Sequence, residues 1–126
     1  MSRGTNETSV FSGTFSDTND HYLPDTTAAD TEGYDVRTKE RTSVVVTNDQ
    51  DQDATVDLEG SAFNDKGMAD AGSLLGSTVT VAAGSTEIVS VPIEAAPAFL
   101  RLKVSFATAP TGNNPITATY QSDESG

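Results

Sequence analysis

The chain has 126 residues, enough for one domain, and carries 19 acidic against 7 basic residues for a formal net charge of -12. So acidic a surface repels phosphate backbones and anionic lipid, which argues against nucleic-acid and membrane partners. The absence of cysteine excludes disulfides, thiolate metal sites and cysteine nucleophiles.

Residues 1–33 are rich in Thr, Ser, Asp, Asn and Gly, with Val10, Phe11, Phe15, Tyr22 and Leu23 scattered among them. No helical period appears, and the apolar residues are too sparse for a core of their own. An extended N-terminal arm is expected here: disordered alone, ordered on a partner, or folded back as a short strand on the same domain. The segment lacks the apolar region of a secretory signal, and nowhere does the chain approach the roughly 18 apolar residues of a membrane span, so a soluble protein is expected. His21, the single histidine, stands near Asp17, Asp20 and Asp25. A Ser-His-Asp arrangement needs a rigidly held histidine, and in this unpatterned third a solvated one is expected.

From Tyr34 the character changes. "YDVRTKERTSVVVTN" is strand-forming and ends in turn chemistry. Arg37, Lys39 and Arg41 alternate along it, so they are expected to project to one side, where they either offset nearby carboxylates or dock an acidic partner. The next stretch, "TNDQDQDATV", sets Asp49, Asp51 and Asp53 at every second position, as at the start of an EF-hand calcium loop. The sixth position is Ala54 instead of Gly and the twelfth is Gly60 instead of Glu, so that loop is excluded. A turn with solvated carboxylates on a hairpin end explains more, and a calcium site of different geometry stays open.

"DATVDLEG" alternates, with Ala54, Val56 and Leu58 on one face. "FNDKGMADAGSLLG" reads as a long connection with one turn of helix around Met68 to Ala71. "STVTVAAGSTEIVSVPI" reads as two strands joined by Ala83-Gly84-Ser85, their apolar positions being Val79, Val81, Ile88 or Val89, and Val91. "AFLRLKVSFAT" points Leu100, Leu102, Val104 and Phe106 inward, "APTGNNP" is a loop, and "ITATYQ" sets Ile116, Ala118 and Tyr120 on one face. Five to seven short strands with one-sided alternation predict an all-β fold: a small antiparallel β-sandwich over 34–120, jelly-roll-like or Ig-like, with an open barrel as the near neighbour. Residues 121–126 are expected to form a solvated tail.

No catalytic constellation emerges. Carboxylates are plentiful but no pair stands out, there is no Trp for sugar stacking, and phosphate-binding glycine loops are absent, so neither an enzyme nor a cofactor is expected. Few lysines, many carboxylates and small apolar residues resemble proteins of extremely halophilic archaea, in which salt near 1 M shortens the Debye length to roughly 3 Å and screens self-repulsion.

The segments "TSVVVTNDQDQDATVDLEGS", "STVTVAAGSTEIVSV" and "AFLRLKVSFATAPTGNNPITATY" resemble small β-sandwich structural proteins of haloarchaeal tailed viruses, over about residues 42–120. The resemblance implies a non-enzymatic subunit of the virion, assembled in the host cytoplasm: a capsid decoration, minor capsid or turret protein, or a tail-associated one. It implies a homo-oligomer with major capsid or other virion proteins as partners. Assembly contacts are expected at Val10, Phe11, Phe15, Tyr22, Leu23, Arg37, Lys39 and Arg41, with residues 1–40 as the contacting segment. The alternative is a module that binds host-surface glycan or S-layer through loops 60–76 and 108–115.

Overall fold

Strands form where β-branched and aromatic residues alternate with polar ones, and the computed structural model places ten among its described residues (6–27, 32–61, 68, 71–92 and 97–124). They are β1 (Asn6–Gly13), β2 (His21–Leu23), β3 (Tyr34–Asp35), β4 (Lys39–Asn48), β5 (Ala54–Ser61), β6 (Gly72–Ser73), β7 (Val79–Val81), β8 (Thr86–Ser90), β9 (Phe99–Phe106) and β10 (Ile116–Glu124).

The first sheet runs β1-β10-β4-β8. The second is built on β9 and β5, with β2 and β3 sharing the free edge of β9, and β6 and β7 sharing that of β5. Every pairing is antiparallel. The pairs nest, β1 with β10, β2 and β3 with β9, β4 with β8, and β5 with β6 and β7, which is the strand order of a jelly roll. The Ig-like order and the open barrel expected as alternatives are thereby set aside.

The core lies between the sheets. Val44 and Val46 of β4, Ala118 and Tyr120 of β10, and Val89 of β8 face Val56 and Leu58 of β5 and Leu102 and Val104 of β9. Tyr120 is fully buried, and desolvation raises its phenolic pKa. Its hydroxyl donates to the Leu23 carbonyl oxygen, while the Tyr34 hydroxyl lies 2.7 Å from Ser122 Oγ. The two tyrosine rings pack at 4.8 Å with a 30° tilt, and these bonds satisfy their polar tips inside an apolar sandwich. Among the described residues no buried side-chain nitrogen or oxygen lacks a partner.

Three expectations are corrected. For residues 1–33 the extended arm gives way to the other reading, strands folded back on the same domain: 6–13 and 21–23 pair into the sandwich, and 14–20 connect them. Sparse apolar content misled because an edge strand needs few inward anchors. Here they are Phe11, edge-on to Tyr120 at 5.6 Å, and Leu23, 4% exposed. The strand β10 also continues through the expected tail as far as Glu124, with Ser122 buried against Tyr34.

The third correction concerns the turns. Ala83-Gly84-Ser85 joins β7 to β8 as expected, but the Asp49 to Asp53 stretch ends no hairpin, because β4 and β5 belong to opposite sheets, as β7 and β8 also do. A tight turn is present at the former, with Ser85 N–H donating to Ala82 O at 3.0 Å and Gly84 at a φ of 79°, open to glycine. Local turn chemistry does not say which sheet receives the next strand. Near Met68, the Ala71 N–H donates to the Met68 carbonyl at 3.0 Å, a single turn of the kind expected; 69 and 70 lie outside the described residues.

Candidate functional site

The acidic repeat is a structural hub. Asn48 is fully buried; its Nδ2 donates to Gln52 O at 2.8 Å and Val81 O at 3.0 Å, and its Oδ1 accepts from Gln50 N–H at 3.0 Å. Gln50, 3% exposed, pairs with the Phe15 backbone as a strand would: Phe15 N–H donates to Oε1 at 2.9 Å and Nε2 donates to Phe15 O at 2.8 Å. Asp51 accepts from Thr111 N–H at 3.0 Å and from its hydroxyl, and Asp53 accepts from Ala83 N–H at 3.0 Å. The loops after β1, β4, β7 and β9 are thereby tied together at one end of the sandwich.

Those bonds engage the carboxylates of Asp51 and Asp53, while Asp49 is exposed. Among the described residues no three His, Asp or Glu side chains converge on a point, so Asp49, Asp51 and Asp53 are not gathered as calcium ligands. The Thr111 hydroxyl and amide hold the Asp51 carboxyl below its usual pKa of 3.8, since each bond favours the charged form.

The His21 region is also structural. His21 Nε2 lies 2.7 Å from Asp17 Oδ1, its ring stacks on Phe15 at 4.0 Å, and its side chain is 25% exposed, so it is not the solvated histidine expected. The bond to His21 is the chief reason the Asp17 carboxyl sits below its usual pKa. An adjoining cleft of about 240 Å³, lined by Phe15, His21, Tyr22 and Asp25 among others, falls below the roughly 300–1,000 Å³ of small-molecule sites.

The expected basic strip is divided. Arg37 forms a two-point ion pair with Asp35 (3.0 and 2.6 Å) and stands 5.1 Å from the Phe99 ring of the second sheet. Arg41, by contrast, pairs at 2.7 Å with Asp123 of the first sheet, opposite it on the neighbouring strand. Lys39 also lies on β4, beside a register shift between Asp123 and Glu124. Of the expected apolar contacts, Phe11 and Phe15 pack on the domain's own core, Leu23 is buried, and Tyr22 lies 3.9 Å beneath the Arg101 guanidinium. Val10 alone among these five is strongly exposed, at 60%.

Val10 leads to the surface that sequence reasoning missed. Register carries its row outward across all four strands of the first sheet: Val10, Thr119, Val45 and Ile88, the last 68% exposed. On one side runs Ser12, Thr117, Thr47 and Thr86, and on the other Thr8, Gln121, Ser43 and Ser90. None of these twelve positions is charged, although the chain carries 26 charged residues, 19 acidic plus 7 basic. The Arg41–Asp123 pair closes the face at one end. The sequence signal is the outward set Ser43, Val45 and Thr47 beside Thr117, Thr119 and Gln121, which means little until register aligns them.

The second sheet's outer face differs. Arg101 bonds Glu59 at 2.8 Å and Thr26 Oγ1 at 2.6 Å while covering Tyr22; both ion-pair side chains are 12% exposed. Lys103 lies 3.6 Å from Asp20, and Ser73 Oγ donates to Asp57 at 2.8 Å. This face satisfies its charges internally. Comparison with protein-family models, curated proteins and solved structures finds no match, so function is argued from this chain's own surfaces.

Proposed function

We propose that the chain is a non-enzymatic structural subunit of a virus particle, a decoration, minor capsid or turret protein that packs on its neighbours through the outer face of its first sheet. One observation carries the reading: twelve adjoining outward positions free of charge on a chain of net charge -12. A neutral, β-branched surface with exposed Val10 and Ile88 is suited to lying against another surface, since association there buries no charge. The loop hub supports the same role by stiffening one end of the subunit. The jelly-roll order adds only an analogy, because this fold serves capsid and lectin domains alike.

Contacts are thereby assigned to a sheet face instead of an arm. Deleting residues 1–40 would remove β1, β2 and β3, and with them the fold. The host-binding alternative places recognition in loops 60–76 and 108–115; 62–67 and 69–70 of the first lie outside the described residues, and in the second Thr111 is already bonded to Asp51.

The test is quantitative mass spectrometry of purified virions from the host that produces this chain. A fixed copy number per particle is expected. Recovery of the chain free of particles, together with selective capture on a glycan array at molar salt, would overturn the structural role.

A further inference from the structure

We infer that the uncharged outer face of the first sheet is a self-association surface on which two copies of this chain pack face to face, about a twofold axis running along the strands. The inference rests on reading this face as an assembly surface, and it names the occupant. Val10 and Ile88 lie at opposite edges of one row, on β1 and β8, with Thr119 and Val45 between them. A twofold along the strand direction sets Val10 of one copy over Ile88 of the other, and Ile88 over Val10. Both strongly exposed apolar side chains are thereby covered twice, as an isologous contact requires.

Charge selects the second copy over other partners. A cationic partner is recognised by carboxylates, and these twelve positions carry none. A charged surface of either sign would lose its hydration here without a compensating partner. A second copy supplies a neutral face of the same size and hydroxyl pattern. Sheets stacked in this way lie about 10 Å apart with strand directions within about 30°.

The size sets the strength. Four strands about 4.8 Å apart and five residues at about 3.4 Å each make a face of roughly 300 Å². Two copies therefore remove on the order of 600–1,000 Å² from water, below the roughly 1,600 Å² of a standard interface. Association is weak in isolation and gains from repetition in an assembly. It also tightens as salt rises, because screening reduces repulsion between two copies of net charge -12 while no attractive ion pair is lost.

Sedimentation velocity over a range of protein and salt concentrations tests this. The wild type is expected to pass from monomer to dimer, with a dissociation constant that falls as salt rises. Ile88→Asp is expected to weaken the dimer at least about tenfold by burying two unpaired carboxylates. Thr80→Asp, the same charge change at an exposed position on the opposite sheet, is expected to leave it unchanged.

A wild type that stays monomeric at every salt concentration overturns the inference, as does equal weakening by Ile88→Asp and Thr80→Asp. If the wild type is monomeric but Ile88→Asp is excluded from virions, self-association fails while the structural role stands. If Ile88→Asp breaks the dimer yet enters virions normally, self-association stands and the face's role in the particle fails.

Discussion

The two outer faces of the sandwich share one architecture and opposite chemistry. Both are the solvent sides of antiparallel strands whose inner sides fill a common core. On the second sheet the outward positions hold Arg101, Lys103, Asp57 and Glu59, engaged with Tyr22, Thr26, Asp20 and Ser73. On the first they hold Ser, Thr, Val, Ile and Gln. Thr, Val and Ile suit strands intrinsically, whereas the Asp, Glu and Lys of the second face are held there by context. The difference therefore concerns charge: one face pairs its charges within its own chain, and the other, the assembly surface proposed above, carries none at the twelve positions.

The largest effect that sharpens this contrast is expected on the charge-paired face. Arg101→Met strands the Glu59 carboxylate at 12% exposure and should cost about 3 kcal/mol in denaturant unfolding at fixed salt. Adding Glu59→Leu should restore most of that loss, since a neutral pair leaves no charge unpaired. A loss under about 1 kcal/mol for the single variant would mean that the pair is solvated and the face is not self-completed.

Next in size is the hub that holds both sheets at one end. Asn48→Ala removes a buried amide and leaves the Val81 and Gln52 carbonyls and the Gln50 amide without it, for an expected cost of about 2 kcal/mol. Amide exchange at Gln50, Gly84 and Ser85 should quicken in that variant ahead of β9. Uniform quickening would show that the end does not behave as a unit.

Third, Ile88→Asp should change the stability of the monomer by no more than about 0.5 kcal/mol, because the side chain is 68% exposed. A variant that loses association while keeping its unfolding midpoint is the signature of an open face. A loss of several kcal/mol would instead mark Ile88 as part of the fold.

The smallest effect is a pH dependence at the loops. Asp17, Asp25, Asp35 and Asp51 are held below their usual pKa of 3.8, chiefly by bonds from His21, the Thr27 amide, Arg37 and the Thr111 hydroxyl, respectively. A carboxyl depressed in the folded state binds fewer protons there than in the unfolded chain. Its contribution is therefore complete above the usual value and is lost as pH falls through the lower folded one. Asp51→Asn should flatten the fall in melting temperature below about pH 4, because the amide has no proton to bind. An unchanged acid limb would show that the Thr111 contact is not maintained in solution.

The inner alternation of β5, β9 and β10 was legible because a half-buried strand writes its face directly into every second residue, as in Leu100, Leu102, Val104 and Phe106. β1 and β2 were not legible, since His21 to Leu23 is too short to show a period and Val10-Phe11 sets two large apolar residues side by side. Only pairing with β10 reveals that Phe11 faces in and Val10 out. The loop carboxylates were legible as turn chemistry, but their partners Thr111 and Ala83 lie 60 and 30 residues away.

By itself the sequence determined an acidic, cysteine-free, all-β domain, because charge, composition and a period of two are local properties of the chain. Tertiary structure decided that the strands nest as a jelly roll, that the acidic repeat ties four loops, and that twelve neutral residues from four distant segments form one face. Those are matters of register and of which sheet receives each strand. Long-range pairing and core packing set both, and no local window of sequence contains them.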